Sequence, residues 1–373
     1  MNKNLAFVNS SSSWGGLEIN VVRLAKWLSS ANYKVTIICI KNTAIDKAAK
    51  TNNLDIEYIE KHKKYYDFCK AKKLHKIIIS KNISSIFIFD NRDLSLCAIA
   101  KLLSKNKIKL IFQQNMLIGG NKKDIFHRIR FSFIDKWISP LYILKNQVLK
   151  YTNIPEKKIE VIPLCIDIDE ILDKKISKIE ARNKLNINQE TTLLGIIGRI
   201  DKLKGQDFLI EAINKLRSEN YNIELLISGD PTNEIEGIEY NKYIIELVKK
   251  YKLENYVHFR PFTKNISELY SAIDIFALAS KNETYGMVTI EAMCFAKAII
   301  ATDSGGTPEI LKNGEFGLLY KPNNLNDFLE KIKLLLNNKN LQDKFAEKAK
   351  QEAVTNYSHK KEIKEITNIL ENL

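Results

Sequence analysis

The sequence predicts a protein of the α/β class with two domains, each built on a parallel β-sheet with helices on both faces. Three observations lead to this prediction. A chain of 373 residues exceeds the size of one ordinary hydrophobic core, so two domains are expected. Short apolar runs typical of buried strands alternate with longer amphipathic segments typical of helices. Several apolar runs also end in a Gly- or Ser-rich loop that leads directly into a helical segment.

The first domain begins with a strand, a loop and a helix. Residues 4–9 predict a buried strand, residues 9–16 a Ser/Gly loop, and residues 17–30 an amphipathic helix. In a doubly wound sheet such a loop lies at the carboxyl ends of the strands, where ligands bind. Further strands are predicted at residues 35–40, 85–89 and 109–113, with lysine-rich helical segments between them.

The second domain repeats this alternation. We place the boundary after residue 170, where the apolar run at residues 159–169 ends. Residues 356–373 carry apolar side chains along one helical face and predict a terminal helix. The other predicted elements of this domain are strands at residues 193–198, 225–230, 257–262 and 298–301 and a helix at residues 208–216.

The composition is that of a soluble globular protein, with 45% hydrophobic and 27% charged residues. No apolar run approaches the length of a membrane-spanning helix, and the run at residues 5–8 is too short for a signal peptide. We therefore expect a cytoplasmic protein. The cysteines are scattered and lack CxxC spacing, which predicts buried, reduced thiols without a disulfide or zinc site at Cys39, Cys69, Cys97, Cys165 and Cys294.

Residues 280–309 contain the most informative motif of the chain. Gly286 precedes an apolar run of helical period, so a helix is expected to start near Met287. After the predicted strand at residues 298–301, two glycines open a second helix, for which Thr307 suits the N-cap and Pro308 the first turn. The free amides of such helix starts bind phosphate, and nearby carboxylates bind hydroxyl pairs. The stretch therefore predicts a site for a sugar nucleotide.

The same residues resemble a known enzyme family. Glu283 and Glu291 form an E-x7-E pair with a glycine three residues after the first Glu, followed by a strand and the sequence SGGTPE. The chain is thereby similar to the family 4 retaining glycosyltransferases of the GT-B fold. Two further matches support this resemblance: the G-R-x4-K-G pattern of Gly198, Arg199, Lys204 and Gly205, and the GGxE pattern of Gly15, Gly16 and Glu18.

The resemblance implies two facing Rossmann-like domains, with the last helix, residues 356–373, crossing back to the first domain. The second domain, residues 171–355, would bind the nucleotide-sugar donor, and the first would bind the acceptor. Arg199 and Lys204 would neutralise the donor diphosphate without a metal ion, and Glu283 would hold the transferred sugar. The implied donor contacts are Gly15, Gly16, Gly198, Tyr285, Gly286, Met287, Val288, Glu291, Gly305, Gly306 and Glu309.

The resemblance also implies the reaction. A UDP- or GDP-sugar would be a substrate, no cofactor would be needed, and the acceptor would be a glycan or a lipid-linked glycan in bacterial cell-surface polysaccharide or lipopolysaccharide biosynthesis. Glu18, Gln113, Gln114 and Asn115 would contact the acceptor or donor. Relatives often carry histidine where this chain has these amides, and an amide cannot act as a base near neutral pH. His127 lies on an amphipathic segment and is expected to be structural or solvated.

One pattern points to metal binding and is rejected. Asp167 and Asp169 form a D-x-D sequence, which is the metal-binding pattern of another glycosyltransferase fold. The pair follows the V-I-P stretch at residues 161–163, and no glycine loop of nucleotide size adjoins it. We therefore expect no metal site.

The net charge of +14 lies in the first half of the chain. Residues 1–170 hold 29 Lys and Arg against 15 Asp and Glu, whereas residues 171–373 hold 29 of each. Basic residues interleaved with aromatic residues suit an anionic membrane surface, although a solvated lysine-rich face would give the same pattern. The residues concerned are Lys61, Lys63, Lys64, Lys70, Lys72, Lys73 and Lys76 with Tyr65, Tyr66 and Phe68, and Lys122, Lys123, Arg128 and Arg130 with Phe126, Phe131, Phe133 and Trp137.

Two other functions remain open from the sequence. One is a different GT-B reaction, that of a sugar-nucleotide epimerase or a phosphorylase. The other is a basic module that binds membranes or nucleic acid, although the chain contains no recognisable nucleic-acid-binding motif. A requirement for an acceptor and turnover of a donor would separate the transferase from both.

Overall fold

Two parallel β-sheets, one in each half of the chain, organise the protein. The structure, a computed structural model, describes residues 4–232, 234–263 and 265–373. The chain forms two units: the first contains the residues up to Leu164 together with His359–Leu373, and the second contains Cys165–Ser358. The sequence-based boundaries, after residues 170 and 355, differ from these divisions by a few residues.

Seven parallel strands form the sheet of the first unit. They are β1 (Asn4–Asn9), β2 (Lys34–Cys39), β3 (Asp55–Tyr58), β4 (Ser85–Ile88), β5 (Lys109–Gln113), β6 (Lys136–Ser139) and β7 (Ile159–Val161). Their order across the sheet is β3-β2-β1-β4-β5-β6-β7. The loops that follow these strands therefore emerge at one carboxyl edge.

Helices cover both faces of this sheet. They are α1 (Gly16–Ser30), α2 (Ala44–Thr51), α3 (Phe68–Ser80), α4 (Leu94–Leu103), α5 (Ile125–Ser132) and α6 (Tyr142–Tyr151). Two hydrophobic clusters result, one on each face of the sheet. Because each strand is buried on both faces, its sequence is a nearly continuous apolar run rather than an alternating one.

Six parallel strands form the sheet of the second unit. They are β8 (Thr192–Ile197), β9 (Ile223–Ser228), β10 (Val257–Arg260), β11 (Ile275–Leu278), β12 (Ala298–Thr302) and β13 (Leu318–Tyr320), in the order β10-β9-β8-β11-β12-β13. The helices of this unit are α7 (Ile168–Asp173), α8 (Lys178–Leu185), α9 (Gln206–Ser218), α10 (Ile235–Lys250), α11 (Ile266–Ala272), α12 (Met287–Cys294), α13 (Thr307–Ile310), α14 (Leu325–Leu336) and α15 (Lys339–Asn356).

The last helix, α16 (His359–Glu371), belongs to the first unit although the chain reaches it from the second. Its apolar side belongs to one of the two hydrophobic clusters of the first unit, where Ile366 and Ile369 are buried together with residues of α1. The His359 ring also lies 5.2 Å from the Trp27 ring of α1, measured between centroids. The amphipathic pattern predicted for the tail is therefore explained by burial against the first sheet's helices.

The α/β class with parallel sheets is confirmed, and so are the strands at residues 4–9 and 109–113 and the helix start at Met287. Two local expectations are wrong. Cys69 is exposed, whereas the other four cysteines are buried, because amphipathic α3 turns its apolar side chains, not Cys69, toward the core. The N-cap of α13 is Gly306 rather than Thr307, which is already the first helical residue.

Candidate active site

Three loops meet at one edge of the second sheet. The strands β8, β11 and β12 are adjacent and parallel, so the loops that follow them emerge at the same carboxyl edge. These loops are residues 198–205, 279–286 and 303–306. Together with α12 as far as Glu291 and the first turn of α13, they contain every residue that the sequence predicted as a donor contact in the second unit.

The first loop places Lys204 beside the end of β11. Lys202–Lys204 form one turn of 3-10 helix, capped by Asp201 Oδ1, which accepts a 2.8 Å hydrogen bond from the Leu203 amide. The next residue, Gly205, has a φ of +75°, and a Cβ at this position would lie 2.5 Å from the carbonyl oxygen of Ala279. Only glycine allows this close approach, which fixes the turn against the second loop.

Glu283, in the second loop, binds Lys204 directly. The distance from Lys204 Nζ to Glu283 Oε2 is 2.6 Å, and the Ser280 hydroxyl donates to the same oxygen at 3.1 Å. Both charged side chains are partly exposed. An ammonium and a carboxylate at this edge can serve the two parts of a sugar diphosphate, because one attracts phosphate and the other accepts from hydroxyls.

The third loop holds the backbone of Glu283 in place. The Gly306 amide donates to the Glu283 carbonyl oxygen at 2.8 Å, and the Thr302 hydroxyl donates to the Ser280 carbonyl oxygen at 2.8 Å. Gly305 has a φ of +61°, and a Cβ on it would lie 2.0 Å from the Glu283 carbonyl oxygen. The glycine pair of the SGGTPE sequence therefore positions Glu283, which is a structural reason for this part of the motif.

The helix α12 begins immediately after the second loop. Its N-cap is Gly286, whose lack of a side chain leaves the first amides without a side-chain cap. Glu291 lies further along α12, where its Oε2 accepts a 2.9 Å hydrogen bond from the hydroxyl of Tyr270. Burial raises the pKa of Tyr270 well above its ordinary value, so this hydroxyl stays protonated and can donate. Sequence reasoning missed Tyr270, because a buried tyrosine on α11 carries no distinguishing pattern.

Arg199 projects from the loop after β8. Its side chain is exposed, and its carbonyl oxygen accepts a 2.8 Å hydrogen bond from Gln206 Nε2. Among the residues that the structure describes, no carboxylate forms an ion pair with Arg199. Its guanidinium group is therefore available to an anion, in contrast to the Lys204 ammonium, which is held by Glu283.

The remaining predicted site residues lie in the first unit. Gly15 is the N-cap of α1 and Gly16 its first residue, while Glu18 in the first turn is buried. Gln114 is committed to the interior, because its Oε1 accepts from Trp137 Nε1 at 3.1 Å and Ser139 Oγ at 2.8 Å. Its contact with a substrate remains a prediction.

The neighbours of Gln114 differ from it. Asn115 Nδ2 donates to the Phe89 and Gln113 carbonyl oxygens at 3.2 and 3.0 Å. Gln113 is buried, and its Oε1 has no hydrogen-bond partner among the described residues. None of these contacts tests whether either residue binds a substrate, and their role remains a prediction.

His62 and Asp93 connect two loops of the first unit, and sequence reasoning missed them. His62 Nε2 lies 2.8 Å from Asp93 Oδ1, and Asp93 also accepts from the amide and hydroxyl of Ser10 at 3.0 and 2.5 Å. Ser10 begins the loop that leads to Gly15. The hydrogen bond to Asp93 raises the pKa of His62, against the opposing effect of burial. Because Ser10 and Asp93 are 83 positions apart, no local pattern reveals this contact.

The basic and aromatic residues of the first unit are only partly on its surface. Tyr65, Tyr66 and Phe68 are exposed between the lysines that precede and begin α3, and Phe126 is exposed on α5. The sequence-based surface is wrong for Arg130 and Phe131, which are buried on the inner face of α5, and for Trp137, which is buried on strand β6. His127 is structural, since its Nδ1 lies 2.5 Å from Asp124 Oδ2 at the start of α5.

The D-x-D pair has a structural role. Asp167 caps α7 by accepting a 3.1 Å hydrogen bond from the Glu170 amide. Within residues 4–232, 234–263 and 265–373, no group of three or more His, Cys, Asp or Glu side chains is arranged to hold a metal ion. In the same residues, no helix is long and apolar enough to cross a membrane.

Comparison with known proteins identifies the family. The family model "Glycosyl transferases group 1" matches residues 177–352, and "Glycosyltransferase Family 4" matches residues 14–170. The chain is 28% identical to the lipopolysaccharide 1,2-N-acetylglucosaminetransferase of Salmonella typhimurium, over 92% of this chain and 90% of that protein.

A second relative and a solved structure agree with these matches. The relative is the N-acetylgalactosamine-N,N'-diacetylbacillosaminyl-diphospho-undecaprenol 4-alpha-N-acetylgalactosaminyltransferase of Campylobacter jejuni, 26% identical over 76% of this chain and 75% of that protein. The structure is HepE of Anabaena in complex with UDP and glucose, with a TM-score of 0.81 and 19% identity over 99% of each chain. The chain therefore belongs to glycosyltransferase family 4 and is a glycosyltransferase of the GT-B fold.

Proposed function

We propose that this glycosyltransferase moves a sugar from a UDP- or GDP-sugar to a glycan or lipid-linked glycan, retains the anomeric configuration and needs no metal ion. The product would enter bacterial cell-surface polysaccharide or lipopolysaccharide. The observation that carries the proposal is the Lys204–Glu283 ion pair, 2.6 Å long, on a loop fixed by two glycines beside the uncapped start of α12. This arrangement suits a diphosphate joined to a polyol.

Each charged residue has a proposed role in donor binding. Arg199, which has no carboxylate partner among the described residues, and Lys204 neutralise the diphosphate as it departs. Glu283 accepts hydrogen bonds from the sugar hydroxyls, and Glu291, oriented by Tyr270, accepts from the ribose. When the donor binds, Lys204 exchanges part of its contact with Glu283 for the phosphate, which releases carboxylate lone pairs for the sugar.

The proposed chemistry is a front-face displacement. The bond between the anomeric carbon and the phosphate oxygen breaks, and the acceptor oxygen forms its bond on the same face of the sugar. The acceptor proton passes to an oxygen of the departing phosphate. Stabilising the leaving group is then the main task of the protein, which agrees with two cations and a helix start without a side-chain cap at this edge.

The comparisons support the choice of substrates. HepE was solved with UDP and glucose, so UDP-glucose is the first donor to test. The relative from Campylobacter jejuni is named for an acceptor that carries diphospho-undecaprenol, and the Salmonella relative for lipopolysaccharide. A lipid-linked or surface glycan is therefore the proposed acceptor class.

A panel of UDP-, GDP- and ADP-sugars in a thermal-shift assay tests the donor, because a ligand of the native state raises the melting temperature. The stabilising donor is then incubated with candidate acceptors in the presence and absence of EDTA. We expect transfer in both conditions, and the anomeric proton of the product in NMR spectra shows whether configuration is retained. Activity that EDTA abolishes and Mn²⁺ or Mg²⁺ restores would contradict metal independence, and turnover without an acceptor would favour an epimerase.

The proposal includes docking of the first unit on an anionic membrane. Tyr66 and Phe68 are each about 60% exposed within a lysine-rich segment, and Ile125 and Phe126 are equally exposed on α5 beside Lys123. Aromatic side chains at the headgroup level and lysines near anionic lipids are the usual elements of such docking. Each lysine near the membrane surface contributes about 1 kcal/mol to the binding free energy. Salt screens this attraction.

Co-sedimentation with liposomes tests the docking. We expect binding to phosphatidylglycerol-containing vesicles that decreases with salt and is weakened when Lys61, Lys72 and Lys76 are changed to Gln. Changing Lys344 and Lys348 of α15 to Gln is the control, since these lysines are exposed in the other unit. Equal recovery with neutral and anionic vesicles would argue for a soluble acceptor.

A further inference from the structure

Arg130 on α5 is a buried guanidinium group with unused hydrogen-bond donors. The side chain is 7% exposed. Its Nη2 donates to the carbonyl oxygen and Oδ1 of Asn91 at 2.7 and 3.2 Å. Nε and Nη1 are also buried, and neither has a partner among the described residues. Such donors are costly to bury, and a folded protein normally pairs them.

Arg182 shows how this protein buries an arginine for structural reasons. It is fully buried in the second unit, and all three of its nitrogens are paired. Nε donates to the Ala272 carbonyl oxygen, Nη1 donates to three carbonyl oxygens, and Nη2 lies 2.6 Å from Asp274 Oδ2. Arg130 has neither the saturated hydrogen bonds nor the carboxylate, so packing alone does not account for it.

The charge of Arg130 is not neutralised locally. Among the described residues, no carboxylate forms an ion pair with it. The two aspartates that flank Asn91 are occupied, because Asp90 binds Arg92 through two hydrogen bonds and Asp93 binds His62 and Ser10. Burial lowers the pKa of Arg130, as expected for a cation that lacks a counter-ion. The surroundings are therefore suited to an incoming anion.

The position of Arg130 is that of a ligand site. Asn91 follows β4, and Tyr65, whose ring lies 5.0 Å from the guanidinium carbon, follows β3. Both loops emerge at the carboxyl edge of the first sheet, where doubly wound folds bind ligands. The Tyr65 ring lies over the guanidinium group, and Tyr65 is 42% exposed, so a surface side chain lies between Arg130 and solvent.

We propose that Arg130 binds an anionic group of the acceptor, a phosphate or a carboxylate, which displaces the Tyr65 ring and accepts from Nε and Nη1. The assignment to the acceptor rests on the proposed function, whereas the anion site itself does not. The same chemistry could come from a soluble phosphorylated acceptor or from a lipid headgroup. Either source would supply the negative charge that the described residues of the first unit do not provide for Arg130.

The first test compares the stability of three glutamine variants. Arg182→Gln removes saturated contacts and should lower the melting temperature by more than about 5 °C. Arg128→Gln, an exposed change of equal charge on the same helix, should leave it nearly unchanged. Arg130→Gln should match Arg128→Gln or be more stable, because it removes an unpaired buried charge. A loss as large as that of Arg182→Gln would overturn the proposal by showing a structural role.

The second test measures anion binding. Inorganic phosphate is titrated by calorimetry at constant ionic strength, and vesicles of phosphatidylcholine with and without phosphatidic acid are tested separately. We expect Arg130→Gln to weaken binding at least tenfold in one of these arms, while Lys344→Gln, which removes one exposed charge from α15 in the other unit, retains wild-type affinity. Loss of phosphate binding identifies a soluble group, and loss confined to phosphatidic acid vesicles identifies a headgroup. Equal behaviour of the two variants in both arms would overturn the proposal.

A third variant and a separate assay make the result independent of folding and of the donor. Arg130→Lys keeps the charge and should retain part of the anion affinity that Arg130→Gln loses. Stabilisation by the donor sugar nucleotide is measured in every variant and should be unchanged by Arg130→Gln. If no nucleotide sugar binds but phosphate binding still depends on Arg130, the anion site stands and the proposed transferase reaction fails. If a nucleotide sugar binds but anion binding does not depend on Arg130, only the anion site is rejected.

Discussion

Gly305→Ala should misplace Glu283 without unfolding the second unit. Gly305 has a φ of +61°, and a Cβ built on it lies 2.0 Å from the Glu283 carbonyl oxygen. That oxygen also accepts the 2.8 Å hydrogen bond from the Gly306 amide. The substitution therefore pushes against the peptide group that carries the proposed sugar-binding carboxylate.

The size of the effect follows from this distance. Real Cβ atoms essentially never approach a heavy atom within 3.0 Å, so the contact must open by about 1 Å, from 2.0 Å. Alanine in a left-handed conformation costs about 1–2 kcal/mol, and loss of the Gly306 hydrogen bond adds about 1 kcal/mol. A displacement of about 1 Å at a catalytic group costs on the order of 100-fold in rate.

Gly314→Ala is the matched control. Gly314 is in the same unit and has a φ of +101°, but a Cβ on it would meet no atom within 4 Å. Both variants should lose stability in thermal unfolding, whereas only Gly305→Ala should lose nucleotide release from the donor. The assay is run at a temperature at which both proteins are folded. Equal turnover in the two variants would refute the claim that Gly305 positions Glu283.

Three further outcomes are expected. Arg199→Ala and Lys204→Ala should each lower the transfer rate at least about tenfold, as measured by nucleotide release, because each removes a cation from the leaving group. Glu291→Ala should weaken donor affinity, and Glu283→Ala should chiefly lower turnover; wild-type kinetics in both would reject the site assignment. The pKa of His62 is raised in the folded protein, mainly by its hydrogen bond to Asp93. Protonated His62 therefore stabilises the folded state at low pH, and this stabilisation is lost as pH rises through the folded pKa. Thermal unfolding from pH 6 upward should show this loss in the wild type, and His62→Gln should remove that pH dependence.

The fold was predictable because its signals are local. Apolar runs such as those of β1 and β5 are buried on both faces, and the helices between them bury one apolar side. Helix starts were less predictable. Thr307 has the residue type of an N-cap, but the N-cap is Gly306, whose amide donates to the Glu283 carbonyl oxygen in a neighbouring loop.

The candidate site was predictable where it consists of glycines and charged residues in order along the chain. The Lys204–Glu283 contact joins residues 79 positions apart, and only the resemblance to a family connected them. Tyr270 and Ser280, which orient the two glutamates, carry no sequence signal because many tyrosines and serines serve packing alone. The sequence thus indicated which residues carry charge at the site, and the structure supplied the residues that hold them.

Burial of charge is the property that the sequence pattern described least well. Arg128 and Arg130 are two positions apart among the same aromatic residues, and both were assigned to one basic surface. On a helix, a separation of two residues turns side chains by about 200°, so one can face solvent while the other faces the sheet. Arg128 is exposed and Arg130 is buried.

Whether a buried cation serves packing or binding depends on its partners. Arg182 has an aspartate partner 92 positions away, and Arg130 has no carboxylate partner among the described residues. Tertiary contacts decide this difference. The anion proposed for Arg130 is the counter-ion that the described residues do not provide.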